Sequence, residues 1–336
     1  MMRAWRRAGW LCACAAVALA LPTEDEFRKA ITARPNDAAA HSRYGLFLLQ
    51  QGRPPEALTE LRAALALSPR SPDHTYNLAL ALLQTEAPAE ALAVLERGKF
   101  PGADHLALRG NVLNALDRLP EAATALRRAA TLDAGNVDTL YDLALTLLKL
   151  DAAAEALPWL EQGRRRFPRE AKIHAASGMA AYALGRNAEA IRFYETAVHL
   201  EPAAPDLHAA LGDVRQAAGD LSAAEGAYRR SLRLEAGAAV SVKLGRNLAR
   251  QQRAAEAAAA FTRAIQLEPG HAEGRLELGK LALTAGDPAG AVEHLRQAVR
   301  SAPDLKSAWY QLGIAYQRAG EEESSRQAME QFRRIP

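Results

Sequence analysis

The side chains here that could do chemistry are eight histidines, two cysteines and 39 acidic residues. His41, His174 and His208 are the most suggestive set, because all three occupy one register of a recurring pattern and the last two are 34 residues apart. A metal ion needs imidazole nitrogens about 2 Å away, whereas equivalent sites on neighbouring packed helices lie roughly 10 Å apart. The spacing therefore assigns these histidines to packing rather than to a metal. Both thiols, Cys12 and Cys14, fall in the first 20 residues, so the rest of the chain has none for a disulfide or a nucleophile. No phosphate-cradling glycine loop, HExxH, GxSxG or paired CxxC occurs, and no spacing marks a carboxylate pair for acid–base work. The run Arg164-Arg165-Arg166 falls at the end of a helical stretch, where cations offset the helix dipole. One short run is not the continuous basic stripe that nucleic acid requires. The expectation is a chain with no catalytic residues, no metal, no cofactor, no nucleic acid and no small-molecule substrate.

What does recur is a small residue: Gly45, Ala79, Gly110, Ala144, Gly178, Gly212, Gly245, Gly279 and Gly313, in steps of 34 residues except for one of 31 and one of 33. Twelve residues after each comes another: Ala57, Ala91, Ala122, Ala156, Ala190, Ala224, Ala257, Ala291 and Ser325. A period of 34 is the signature of a helical repeat array, in which each unit contacts only its neighbours. In residues 38–71, His41, Tyr44, Gly45 and Leu48 share one helical face, Gly52-Arg53-Pro54 breaks it, and Ala57, Leu61, Ala64 and Leu65 share a second face before Pro69 closes the unit. Each unit thus reads as a helix, a tight turn and an antiparallel helix. Gly45 and Ala57 allow close approach, and Leu61 with its equivalents (Leu95, Leu126, Leu160, Tyr194, Tyr228, Phe261, Leu295 and Met329) fills the space between units. Glu56, Glu90, Glu121, Glu155, Glu189 and Glu256 precede the buried alanine, near the start of the second helix, where negative charge is favourable.

Trp309-Leu312-Gly313-Tyr316, Ala190-Tyr194-Ala197-Pro202 and Ala257-Phe261-Ala264-Pro269 together carry a pattern that resembles the tetratricopeptide repeat family. Nine units follow in that register: 38–71, 72–102, 103–136, 137–170, 171–204, 205–237, 238–271, 272–305 and 306–336. A helix within 21–37 reads as an N-terminal cap, since Phe27, Ala30 and Pro35 match the second half of a unit. The polar last helix reads as the C-terminal cap. The unit at 72–102 is three residues short near Gly98-Lys99-Phe100-Pro101, which predicts a tightened turn into the next. The resemblance implies an all-α fold, a right-handed superhelical solenoid of antiparallel helix pairs, whose first helices line a concave groove that receives peptide segments.

The inward positions of those first helices can be read off. They are mostly apolar early, with Leu46, Leu49, Tyr76, Leu80, Leu83, Tyr141, Leu145, Leu148, Met179 and Tyr182, and polar later, with Asp213, Gln216, Arg246, Arg250, Lys280, Gln317 and Arg318. Arg246 and Lys280 share one register and are expected to point the same way. The division predicts a partner with apolar side chains for the first half and an acidic stretch for the second. The alternative is that half of the apolar set packs against neighbouring helices. Two groove types of the family do not match. Asn77, Asn111 and Asn114 lack the basic partners of a carboxylate clamp. The asparagine-ladder sites hold Arg43, Asn77, Leu108, Asp142, Ala176, Ala210, Lys243, Glu277 and Gln311.

Arg3, Arg6 and Arg7 account for the whole net charge of +3, so the remainder is neutral and has no bulk attraction for polyanions. They precede an uncharged run, Ala8 to Leu21, too short to span a bilayer. Ala18-Leu19-Ala20 supplies the small residues of a cleavage site, so residues 1–20 read as a signal peptide. Lipidation at Cys14 and an uncleaved N-terminal anchor are the alternatives, and the only routes to membrane contact. The expectation is a periplasmic or secreted, non-enzymatic scaffold that binds protein or peptide partners in envelope assembly or secretion. A cytoplasmic adaptor, or an accessory subunit of a glycosyltransferase or polysaccharide export enzyme, remains open.

Overall fold

A computed structural model describes residues 23–335. The segment 1–20, with Cys12 and Cys14, lies outside the described residues. Nineteen helices and no strand occur among the described residues, and they divide into two compact units that meet in sequence between Arg118 and Leu119. Unit 1 holds α1 (Glu24–Ala33), α2 (Ala38–Gln50), α3 (Pro54–Leu67), α4 (Pro72–Gln84), α5 (Pro88–Gly98) and α6 (Ala103–Ala115). Unit 2 holds α7 (Leu119–Leu132), α8 (Val137–Lys149), α9 (Ala153–Arg166), α10 (Ala171–Ala183), α11 (Asn187–Leu200), α12 (Pro205–Ala217) and α13 (Leu221–Leu234), followed by α14 (Ala238–Arg250), α15 (Ala254–Leu267), α16 (Ala272–Thr284), α17 (Pro288–Ser301), α18 (Lys306–Arg318) and α19 (Glu322–Arg334).

Local chemistry sets the helix ends. Thr23 and Glu26 form a reciprocal capping box on α1. Asp37, Ser71, Asn136, Asp220 and Asp287 accept backbone N–H groups at the starts of α2, α4, α8, α13 and α17. Pro54, Pro72, Pro88, Pro205 and Pro288 open helices at a position whose N–H has no intrahelical partner. At the turn inside each hairpin one residue is left-handed. It is a glycine at Gly52, Gly185, Gly219, Gly286 and Gly320, but Glu86, Asp117, Asp151 and Gln252 adopt it too, with φ between 57 and 62°. The following N–H reaches back five residues, as from Arg53 to the Leu48 carbonyl and from Arg186 to that of Ala181, both at 2.9 Å. This is the helix stop in which a left-handed residue satisfies orphan carbonyls.

The recurring glycines sit where a second-helix side chain crosses. A Cβ placed on Gly45 would lie 2.7 Å from Leu61 Cγ, and one on Gly178 2.7 Å from the Tyr194 ring. Leu61 and its equivalents therefore press on the first helix of their own hairpin, not only on the neighbouring one. Ala57, Ala91, Ala156, Ala190, Ala224, Ala257 and Ala291 are wholly buried. Ser325, at the same site, donates its hydroxyl to the Gly313 carbonyl at 2.8 Å. The shortened unit differs from expectation. The three missing residues come out of the second helix, since α5 has 11 residues where α3 has 14. Lys99 ends α5 in a left-handed conformation, so the helix loses most of a turn and the connection is not itself tightened.

The first helices of successive hairpins touch one another within each unit, as α2 does α4, α8 does α10, and α14 does α16. Second helices instead contact the first helices on either side of them. First helices thus form the closely spaced layer, and their outward faces are the inner surface of each stack.

Candidate functional site

The three histidines of one register turn out to be hydrogen-bond donors. His41, His174 and His208 each present Nε2 to the carbonyl of the proline six residues earlier, Pro35, Pro168 and Pro202, at 3.0 Å. A carbonyl only accepts, so Nε2 carries the proton. Trp309 Nε1 does the same to Pro303 at 2.8 Å, and Arg275 Nη2 to Pro269 at 3.0 Å. At this site the sequence places an N–H-bearing side chain after five of its six closing prolines. Thr75, after Pro69, turns its hydroxyl to the Ser71 carbonyl instead. Where that proline is missing, Leu106, Leu140 and Ser241 stand at the site. Among the described residues no three His, Cys, Asp or Glu are arranged to hold a metal, and no helix is long and apolar enough to cross a membrane.

Arg164 leaves the basic run to join the packing. Its guanidinium donates to Ser177 Oγ at 2.6 Å, pairs with Glu161 and lies 4.5 Å from the centre of the Phe193 ring. Arg165 pairs with Glu161 at 2.8 Å. Glu90, Glu155 and Glu256 accept ion pairs from Arg62, Arg127 and Arg229, one repeat earlier.

In unit 1, Tyr76 is half-buried, edge-on to His105 with ring centres 5.6 Å apart, and Leu80 is half-buried on the same helix. In unit 2, Tyr141 and Leu148 pack onto the core beside α8 and α10, with Lys172 Nζ 6.0 Å above the Tyr141 ring. Leu145 is half-buried. Met179 and Tyr182 stand out, with 41% and 42% of their surface open to water on α10. The apolar set is thus split between packing and exposure.

The basic residues are engaged within the protein. Arg246 bonds Glu277 at 2.9 Å and Glu273 at 3.0 Å, and Lys280 reaches the same Glu277 oxygen at 3.2 Å. They do point the same way, toward a carboxylate that answers both. Arg250 and Arg318 donate to the carbonyls of Gln216 at 3.3 Å and Leu283 at 2.9 Å. Those carbonyls lie in the last turn of the preceding first helix, where a cation offsets the dipole.

Two inner-face groups come from second helices. Tyr228 of α13 passes Gly212 and donates to Asp213 Oδ1 at 2.9 Å, while Lys243 Nζ holds Oδ2 at 2.6 Å. Burial, then the Asp213 charge, pushes the Tyr228 phenol well up. Tyr194 of α11 is pushed up by burial and then by Asp213, Tyr141 and Tyr182. The signal in the sequence is tyrosine, rather than Leu or Phe, sixteen residues after a glycine. A separate open groove of about 690 Å³ lies between α11 and α13 over His208 and Leu211 and includes none of the expected residues. Arg215 on its wall is paired with Glu195 at 2.8 Å.

Comparison with known proteins fits this architecture. A tetratricopeptide repeat family model matches residues 24–72, 48–104, 141–208 and 209–272, and two further tetratricopeptide repeat models match 248–304 and 307–335. The TPR repeat-containing protein PA0015 of Pseudomonas aeruginosa is 46% identical over 57 residues, 17% of this chain and 54% of that one, so the match spans about half of the relative. A tetratricopeptide repeat protein from Parabacteroides merdae superposes with a TM-score of 0.56 at 16% identity, over 69% of this chain and 93% of that one. The Cut9–Hcn1 hetero-tetramer of the APC/C superposes with a TM-score of 0.55 at 18% identity, over 87% of this chain and 59% of that one. Helix hairpins with a glycine or alanine under each crossing side chain, matched over more than half of the residues by the family's own models, place this chain in the tetratricopeptide repeat family.

Proposed function

We propose that this protein is a non-catalytic scaffold that holds an extended segment of a partner protein along the inner faces of its first helices. The observation that carries this reading is the exposure of Met179 and Tyr182 on α10. Large apolar side chains side by side on a face open to water mark a contact surface, and tyrosine is a favoured anchor at such surfaces. The Pseudomonas relative and the two superposed structures support the fold that underlies it.

The proposed setting is the periplasm or the exterior, in envelope assembly or secretion. The basic start, short apolar run and Ala18-Leu19-Ala20 support it. Cross-linking in cells, with mass spectrometry of the captured partner, tests the binding role. Met179→Glu with Tyr182→Glu is expected to abolish capture, while Leu132→Glu, at an exposed site on α7, leaves it intact. Capture unchanged by the double variant sinks the reading. Fractionation and N-terminal sequencing of the native protein decide the compartment. A chain beginning after Ala20 in the periplasm supports export, and an intact Met1 in the cytoplasm favours the adaptor reading. Stable co-purification with a glycosyltransferase or export enzyme favours the accessory-subunit reading.

A further inference from the structure

The inner face of unit 2 carries a group of phenols that the repeat pattern does not require. Tyr194 and Tyr228 cross the first-helix layer over Gly178 and Gly212, where no side chain blocks them. The Tyr228 hydroxyl emerges on Asp213, and the Tyr194 hydroxyl lies within electrostatic reach of Asp213, Tyr141 and Tyr182. At the same site the next hairpins carry Phe261 and Leu295, which deliver no hydroxyl.

Beside this group the Gln216 amide oxygen is buried and accepts no hydrogen bond. Leaving a buried acceptor unmet is costly. The donors of the adjacent α14 are already committed: Lys243 to Asp213, Arg246 to Glu273 and Glu277, and Arg250 to the Gln216 backbone carbonyl. A donor has therefore to come from outside the chain. Phenol faces attract a cation, and the Asp213 carboxylate adds a negative charge to the same spot.

We infer that this cluster, Tyr141, Tyr182 and Tyr194 with Asp213 and Gln216, seats a lysine or arginine side chain of the bound segment, with Met179 against its aliphatic stem. The inference rests on the peptide-holding role proposed above. It reverses the sign expected from sequence for this part of the partner, because Glu273 and Glu277 already answer Arg246 and Lys280.

The test uses the full chain and labelled twelve-residue peptides of Gly, Ser and Leu that differ only at one central position: Arg, Lys, norleucine or Glu. Fluorescence anisotropy is expected to show the Arg and Lys peptides binding about fivefold or more tightly than the other two. Tyr182→Ala and Gln216→Leu should each erase that preference while leaving the norleucine peptide's affinity unchanged. Equal affinity for all four peptides, or a preference that survives both variants, overturns the inference and leaves the groove reading standing. If no peptide binds a chain of native helical circular dichroism, the groove reading falls and the inference with it.

Discussion

At the scale of single residues, the most informative site is the one that looked like chemistry. His174 and His208 are spaced as metal candidates, yet each donates an N–H to a proline carbonyl. Tryptophan and arginine serve the same end at Trp309 and Arg275. Packing at the unit junction was legible from the register. The donor role was not, because its acceptor lies six residues back across a turn whose shape the sequence does not display. His208→Leu should lower stability by about 1 kcal/mol through the orphaned carbonyl, whereas His208→Trp should retain it, as urea midpoints will show. The glycine under each crossing side chain makes a sharper claim. Gly178→Ala is expected to cost about 1–3 kcal/mol by overpacking against Tyr194. Tyr194→Leu should recover part of that loss in a double-mutant cycle.

At the scale of elements, the helices and their pairing were plain from periodicity, capping residues and prolines. The turns were only half visible. Gly52 announced a break, but nothing in Glu86 or Gln252 announces a left-handed residue, and the hairpin imposes it on them because the chain must reverse at that point. A side chain there is held about 1–2 kcal/mol above its preferred conformation. Glu86→Gly and Gln252→Gly should therefore each stabilise the fold, by about 0.5–1 kcal/mol, seen as a raised thermal midpoint. The first helix supplies a pH prediction. Glu24 is held down to about 2 by Arg53, then Arg28 and the Tyr44 hydroxyl. A depressed carboxylate stabilises the folded state above its ordinary range, and that contribution is lost as pH falls through about 2. Amide exchange in α1, with Phe27 lying on Tyr44 and Phe47 of α2, should thus accelerate between pH 4.5 and 2. Glu24→Gln should exchange fast throughout that window.

At the scale of the whole molecule, helices contact only near neighbours in the chain, so stability is a sum of local terms. Leu61→Ala, at a fully buried site, should cost about 2–5 kcal/mol locally. Hydrogen exchange is expected to quicken in α2, α3 and α4 and to stay unchanged in α16 to α18. Uniform loss of protection along the chain would contradict the neighbour-only picture. The even balance of charge after Arg7 leaves recognition to local chemistry, and in unit 2 that chemistry is aromatic and hydrogen-bonding rather than broadly electrostatic.

The sequence by itself determined the repeat, the helix pairs and the sites kept small, because a 34-residue period and a glycine or alanine at each crossing are local and repeated. Tertiary structure alone decided which groove residues remain available. Arg246 and Lys280 read as free cations until Glu277 is seen to lie between them. Tyr194 and Tyr228 read as packing residues until the gaps at Gly178 and Gly212 let their hydroxyls through. Whether a charge is answered, or a hydroxyl surfaces, depends on residues some 15 to 31 positions away in the chain. That distance is spanned by the fold, and no local pattern records it.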